Sequence, residues 1–242
     1  MGTPVPHAGV PGAYPGPEPR HTRKVESVYV YEWPVRVWHW VNALCIVVLG
    51  TTGYFIGSPP PSVPGEASAN FLFGYIRFAH FAAAWVFGLG FFGRFYWALI
   101  GNVHARQLFA PPVLNKQWWS EVWHEVRWYA FLEKEPRSYE GHNPLAQIMF
   151  FLVGCIVAGM TLTGCALYSE GQGAGTTTDK LFGWIIPLLG GSQNVHTIHH
   201  LGLWAFVCFL TIHLYAATRD DIMSRQSVIS SMISGWREFE RD

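Results

Sequence analysis

Along the chain, apolar residues run almost unbroken through four stretches, 35–56, 71–100, 145–168 and 199–218, while charged residues collect between and outside them. The third stretch holds no Asp, Glu, Lys or Arg from 145 through 169. Each run is long enough to cross a hydrocarbon core about 30 Å thick as an α-helix, which satisfies its own backbone hydrogen bonds there. A soluble helix bundle would carry charges on the wet face of every turn. The pattern predicts an all-α membrane protein with four transmembrane helices and argues against a soluble globular domain.

The first span opens among Trp33, Trp38 and Trp40 beside Arg36, an aromatic anchor at a membrane interface. It must stop before Pro59, Pro60 and Pro61, which cannot continue a helix. The longest connection, 101–143, mixes aromatics and charges from Trp118 to Tyr129 and predicts a helix lying in the interface. In the connection 169–195, the apolar run 181–189 is too short to span and is interrupted by Pro187, so it reads as interfacial or as a docking surface for a partner. Residues 1–30 are rich in Pro and Gly, lack the apolar core of a signal peptide, and read as a disordered cytoplasmic tail. The expected organisation is that tail, a membrane domain over 31–220 and a cytoplasmic C-terminal tail over 221–242.

Only 13% of the 242 residues are charged and the net charge is zero, which leaves no basic footprint for nucleic acid. The balance hides an asymmetry. Arg20, Arg23, Lys24 and Arg36 precede or open the first span; Arg94, Arg106, Lys116, Arg127, Lys134 and Arg137 lie at the end of the second or in the connection to the third; Arg219, Arg225, Arg237 and Arg241 follow the fourth. The other two connections offer Arg77 and Lys180. The positive-inside rule then places both termini in the cytoplasm. Cys45, Cys155, Cys165 and Cys208 stand singly inside spans and read as buried packing thiols, and the absence of C-x-x-C-H excludes covalently attached haem.

Ionisable side chains inside a membrane are costly and mark function by default. His199 and His213 are fourteen residues apart in the fourth stretch. On a helix that spacing returns to within roughly 40° of the starting direction and climbs about 21 Å. One helix face thus presents two imidazoles near opposite edges of the bilayer. His39 lies near the inner end of the first span and His80 towards the outer end of the second, so matching depths gives the pairs His80/His199 and His39/His213. Neutral imidazole is a good axial ligand for iron, and two such pairs predict a haem-binding bundle with two haems b. His200 and His196 lie roughly 140° and 100° away from His213 around the helix, which favours His199, although both could contact propionates. The segment His196-Thr197-Ile198-His199-His200 also has the H-x-x-H-H spacing of a di-iron histidine box, but the remaining histidines are scattered singly. Gly53, Gly88, Gly90, Gly93 and Gly202 would admit either a flat macrocycle or a close-packed helix.

Two long segments then resemble a known family, the b-type cytochrome subunit of membrane-bound NiFe hydrogenases, related to the cytochrome b subunits of formate dehydrogenases. The first is Arg36-Val37-Trp38-His39-Trp40 running to Leu49-Gly50-Thr51-Thr52-Gly53. The second is His196-Thr197-Ile198-His199-His200-Leu201-Gly202-Leu203-Trp204, continuing through Phe209 to His213. Gly74-Tyr75-Ile76-Arg77-Phe78-Ala79-His80, Gly141-His142-Asn143-Pro144, Ala166-Leu167-Tyr168-Ser169-Glu170 and Arg219-Asp220-Asp221-Ile222-Met223 are also typical, so the resemblance covers about residues 28 to 240.

The resemblance implies a di-haem cytochrome b in the bacterial inner membrane that anchors hydrogenase small and large subunits on the periplasmic face. Electrons would pass from iron–sulfur clusters of the small subunit to the outer haem, the inner haem and membrane quinone. By position, His80 and His199 would ligate the outer haem, and His39 and His213 the inner one. Quinone would lie beside the inner haem near the start of the third span, where Asn143 is the candidate, with Trp40, Asn42, His142 and Tyr215 as neighbours. His142 or Tyr215 could relay protons there. Asn143-Pro144 also has the form of a helix start, with Asn as cap and Pro at the first position. The alternatives are a cytochrome b serving a formate dehydrogenase or thiosulfate reductase, a free-standing quinol oxidoreductase, or a haem-free structural anchor.

Overall fold

The computed structural model describes residues 24–61 and 64–241. In chain order its elements are β1 (Lys24–Tyr29), α1 (Trp33–Gly57), α2 (Leu72–Ile100), α3 (Val103–Gln107), α4 (Lys116–Tyr129), α5 (Pro144–Gln172), α6 (Thr177–Phe182), α7 (Ile185–Leu188), α8 (Ser192–Ser224), α9 (Val228–Ser234) and β2 (Trp236–Arg241). Among the described residues, α1, α2, α5 and α8 are long and apolar enough to cross a membrane. They match the four predicted spans, with α8 beginning seven residues earlier than the apolar run because Ser192 to Ile198 continue the helix.

Local chemistry sets the ends. Pro34 lies in the first turn of α1, where a missing N–H costs nothing, and the carbonyl of Glu32 receives the amides of Val35 and Arg36. Asn143 caps α5 through its side-chain oxygen, which accepts from the amide of Ala146 at 2.7 Å, and Pro144 opens that helix. The prolines after Gly57 follow the end of α1, as expected.

The central cluster joins Cys45, Phe87 and Val157 with Leu49, Phe91, Val153 and Phe206. Large apolar residues such as Leu44, Trp85, Leu152 and Leu201 point outward. The cysteine expectation is corrected in part: Cys45 is buried, but Cys155 and Cys208 are exposed on the outside of the bundle, where a small apolar thiol suits acyl chains.

Both terminal segments come together at one end of the bundle, the sheet end. β1 and β2 pair antiparallel, with Val28 opposite Arg237 and Tyr29 opposite Trp236. Residues 24–29, expected in a tail, are therefore a strand, because the C-terminal segment supplies the pairing partner. The C-terminal segment likewise forms α9 and β2 rather than a tail. The expectation for residues 1–23 lies outside the described residues. Gly235 adopts φ 91° at the turn into β2, and its carbonyl receives the amides of Val30 and Tyr31. Arg36 donates to the carbonyl of Ile233, and the Trp40 indole donates to that of Met232 at 3.0 Å, tying α1 to α9. Arg237 is buried and donates to Gly141 O at 2.8 Å and to Gln226 Oε1 at 2.7 Å.

α4 is amphipathic in the way the interfacial reading requires. Trp118, Val122, Glu125 and Trp128 are buried against the bundle, and the Trp118 indole donates to Gln147 Oε1 on α5 at 2.9 Å. Trp119, Trp123 and Val126 form an exposed apolar stripe one turn apart. Within α2, Arg94 is wrapped by the rings of Trp38, Phe109 and Phe150 and donates to Ala105 O at 2.8 Å, so its charge is held by aromatic faces and a carbonyl. At the opposite, far end, Phe182, Ile185, Ile186 and Leu189 turn inward against Ala166 and Val195, while Leu181, Trp184 and Leu188 are exposed.

Two outcomes follow. Arg237→Met leaves the Gly141 carbonyl and the Gln226 amide without their partner, a loss of about 1–3 kcal/mol per unsatisfied buried group; the thermal unfolding midpoint of the detergent-solubilised chain should fall. Burial pushes the Glu125 carboxyl up to about 7 from the ordinary 4.5, with Tyr139 and Arg137 lowering it and Asp220 and Glu121 raising it. The folded chain then holds this proton more tightly than the unfolded chain, so stability should fall as pH rises from 4.5 to about 7. Glu125→Gln should flatten that slope in a pH series of thermal melts.

Candidate functional site

Four histidines from three spans meet as two pairs. The rings of His80 on α2 and His199 on α8 have centroids 6.4 Å apart and planes at 69°. Those of His39 on α1 and His213 on α8 are 6.2 Å apart at 51°. The first pair lies at the far end and the second at the sheet end, separated along α8 by about 21 Å for fourteen residues. Ring proximity thus sets His80 beside His199 and His39 beside His213.

These spacings test the fit of a haem iron. A metal–imidazole bond is about 2 Å long and the ring centre lies about 1 Å behind the ligating nitrogen, so two axial imidazoles on one iron have centres about 6 Å apart. Both pairs meet that distance, which is too long for a direct hydrogen bond between rings. Among the described residues, no three His, Cys, Asp or Glu side chains converge as a metal centre. The arrangement suits a cofactor that brings its own equatorial ligands.

The far-end pair is anchored from behind. His80 Nδ1 lies 2.9 Å from Thr52 Oγ1, and His199 Nδ1 lies 2.9 Å from Thr163 Oγ1. A Cβ added to Gly53 would lie 3.3 Å from the His80 ring, and one on Gly164 would lie 3.1 Å from the His199 ring. Sequence reading missed Thr163 and Gly164 and assigned Thr52 no role; the repeated Thr-Gly dipeptide was the available signal. At the sheet end, His213 stacks on Phe209 at 5.5 Å and His39 meets the edge of Trp40 at 5.2 Å. His39 Nδ1 is buried and has no hydrogen-bond partner among the described residues.

The competing histidines are elsewhere. His196 is exposed and its Nδ1 lies 3.0 Å from Ser192 O on its own helix. His200 packs beside Gly57 and Trp204. Of the other glycines, Gly90 lies against Asn42 and Gly202 against Met160, whereas Gly88 and Gly93 face open space.

The quinone candidates are split, with Asn42 buried on α1 and donating to Trp38 O at 2.7 Å. Asn143 donates to the Tyr129 hydroxyl at 3.4 Å, and the Tyr215 hydroxyl donates to Tyr129 O at 2.9 Å, so these three form one cluster two residues beyond His213. Burial raises the Tyr129 phenol above its ordinary value, keeping it neutral. Arg219 closes the cluster, donating to Trp128 O at 3.0 Å over the Phe131 ring. Trp40 instead flanks His39 and is bound to α9. His142 is packed edge-on against Tyr31, and burial, with Arg94, Arg237 and His104, pushes its imidazole down to about 3. Tyr129 and Arg219 were not found from sequence because neither belongs to a histidine-centred pattern.

Comparisons with known proteins show the family. The pattern of the prokaryotic cytochrome b561 family matches residues 30–235. The chain is 61% identical over 223 residues to the "Probable Ni/Fe-hydrogenase B-type cytochrome subunit" of Azotobacter chroococcum mcd 1, covering 91% of this chain and 92% of that one. A protein of the same name from Cupriavidus necator is 58% identical over 219 residues, 90% of each chain. The "Probable Ni/Fe-hydrogenase 1 B-type cytochrome subunit" of Escherichia coli K12 is 46% identical over 217 residues, 88% of this chain and 92% of that one. With four apolar helices carrying two facing histidine pairs, this chain belongs to the prokaryotic cytochrome b561 family, among the Ni/Fe-hydrogenase B-type cytochrome subunits.

Proposed function

We propose that this chain is the di-haem membrane anchor of a respiratory uptake Ni/Fe hydrogenase and links that enzyme's iron–sulfur small subunit to membrane quinone. The observation that carries the reading is the pair of histidine pairs, each at the ring separation of one bis-imidazole iron and both sharing α8. Haem b bound at each pair would supply reversible one-electron chemistry. The chain's own task is to hold the two sites at different depths, exclude water from them and present each to a different partner.

The distribution of Lys and Arg supports an orientation with the sheet end in the cytoplasm and the far end facing the periplasm, in the bacterial inner membrane. The far end then offers the exposed apolar residues Leu181, Trp184 and Leu188 to the hydrogenase small and large subunits. At the sheet end, Asn143, Tyr129 and Tyr215 form the polar cluster nearest to His213 and are proposed to bind quinone, with Trp40 flanking His39. Tyr215 is exposed, and its hydroxyl would exchange the hydrogen bond it gives Tyr129 O for one to a quinone oxygen, while His142, next to Asn143 in the chain, packs against Tyr31.

A pyridine haemochrome assay on the purified full chain should give two haems b. His39→Ala or His213→Ala should remove one, His80→Ala or His199→Ala the other, and a chain without haem would overturn the proposal. Tyr215→Phe and Asn143→Ala should retain both haems and slow quinone reduction by the hydrogenase complex by about tenfold or more, the cost of a lost hydrogen bond to a charged transition state. Unchanged quinone kinetics in both would place the quinone elsewhere.

A further inference from the structure

The two far-end histidines are held by the same device, built twice. His80 rests on Thr52-Gly53 of α1, and His199 rests on Thr163-Gly164 of α5. In each case the glycine lets the imidazole lie against the neighbouring backbone, and the preceding threonine meets its Nδ1. The threonines are themselves oriented alike. Thr52 Oγ1 lies 2.6 Å from Val48 O and 3.4 Å from Leu49 O. Thr163 Oγ1 lies 2.7 Å from Gly159 O and 3.2 Å from Met160 O.

Those distances fix where the hydrogens are. A carbonyl oxygen only accepts, so an approach of 2.6–2.7 Å requires the hydroxyl hydrogen to point at it. Each threonine has one hydrogen to give, and it is committed to its own helix. Its oxygen then faces the imidazole as an acceptor, and the partner Nδ1 must carry the proton. Nε2 is left with its lone pair free, turned away from the threonine. Both rings are thus set in the one tautomer that can ligate iron through Nε2. His39 differs, since its Nδ1 has no hydrogen-bond partner among the described residues.

We infer that Thr52-Gly53 and Thr163-Gly164 are matched positioning seats that select the Nδ1–H tautomer of His80 and His199 and give the far-end site the lower reduction potential of the two. The inference rests on the reading that each histidine pair holds a haem. An imidazole that donates its second N–H to an oxygen is a stronger donor to its metal, and partners of this kind are worth about 10–100-fold in metal affinity. Stronger axial donation favours the oxidised metal, and second-shell hydrogen bonding is one of the protein's means of setting haem potential. A lower potential at the far end, where reductant enters, makes transfer towards the sheet end downhill.

The test uses the full chain with haem loaded and compares Thr52→Val, Thr163→Val and the double variant with Thr52→Ser and Thr163→Ser. Valine keeps the shape and removes the acceptor; serine restores it. The readouts are haem content, spectrally resolved redox titration and the low-spin ferric EPR signal, with His39→Ala used to identify the far-end haem. Expected are a rise in the far-end potential in each valine variant, a larger rise in the double variant, an unmoved sheet-end potential, and recovery with serine. Loss of the far-end haem alone, restored by serine, supports the same seat. Unchanged potentials with two haems retained, or a shift shared equally by both sites, overturns the inference. If the unaltered chain holds no haem, it is the functional reading that fails.

Discussion

An imidazole inside a bilayer has two ring nitrogens and no water to serve either of them. Each histidine in this bundle must therefore find a partner on both sides of its ring or bear the cost of an unsatisfied group, and the far-end pair shows how that requirement organises the helices. One nitrogen of His80 and one of His199 meet threonines 2.9 Å away on α1 and α5, and their rings face each other across a gap of metal-site dimensions. Four spans are drawn into one place: two supply the rings and two supply the seats. α8 contributes one histidine to each pair and packs Phe206 into the central cluster between them.

The sheet end obeys the same rule by different means. Arg94 and Arg237 are buried cations held by carbonyls and aromatic faces. These contacts bind α1, the loop before α5 and β2 into a cap beneath the His39/His213 pair. The cap encloses His142 and, beside it, leaves Tyr215 exposed.

Much was legible beforehand because membranes simplify the reading of sequence. Length, the lack of charges and the proline run after Gly57 located the four spans to within a few residues at most ends. Periodicity along a helix is rigid, so the spacing of His199 and His213 placed them on one face before any packing was known. A helix was legible between Trp118 and Tyr129 from aromatics beside charges. The terminal strands were not legible: Lys24–Tyr29 and Trp236–Arg241 are short, carry charges, and become strands only through each other, across more than 200 residues of chain. The threonine seats were hidden for a related reason, since a Thr in an apolar helix looks the same whether it bonds its own turn or a neighbour's ring.

The sequence by itself determined that this chain crosses a membrane four times, that three of its helices bring histidines at two depths, and which family it resembles. These are properties of segments, set by hydropathy, charge and helical pitch. Tertiary structure decided which rings lie side by side, that Asn143 and Tyr215 share a cluster with Tyr129 while His142 packs against Tyr31, and that Thr52 and Thr163 meet the far-end pair. Those choices depend on helix rotation and on contacts 28, 36 or more residues apart in the chain, which no local pattern records.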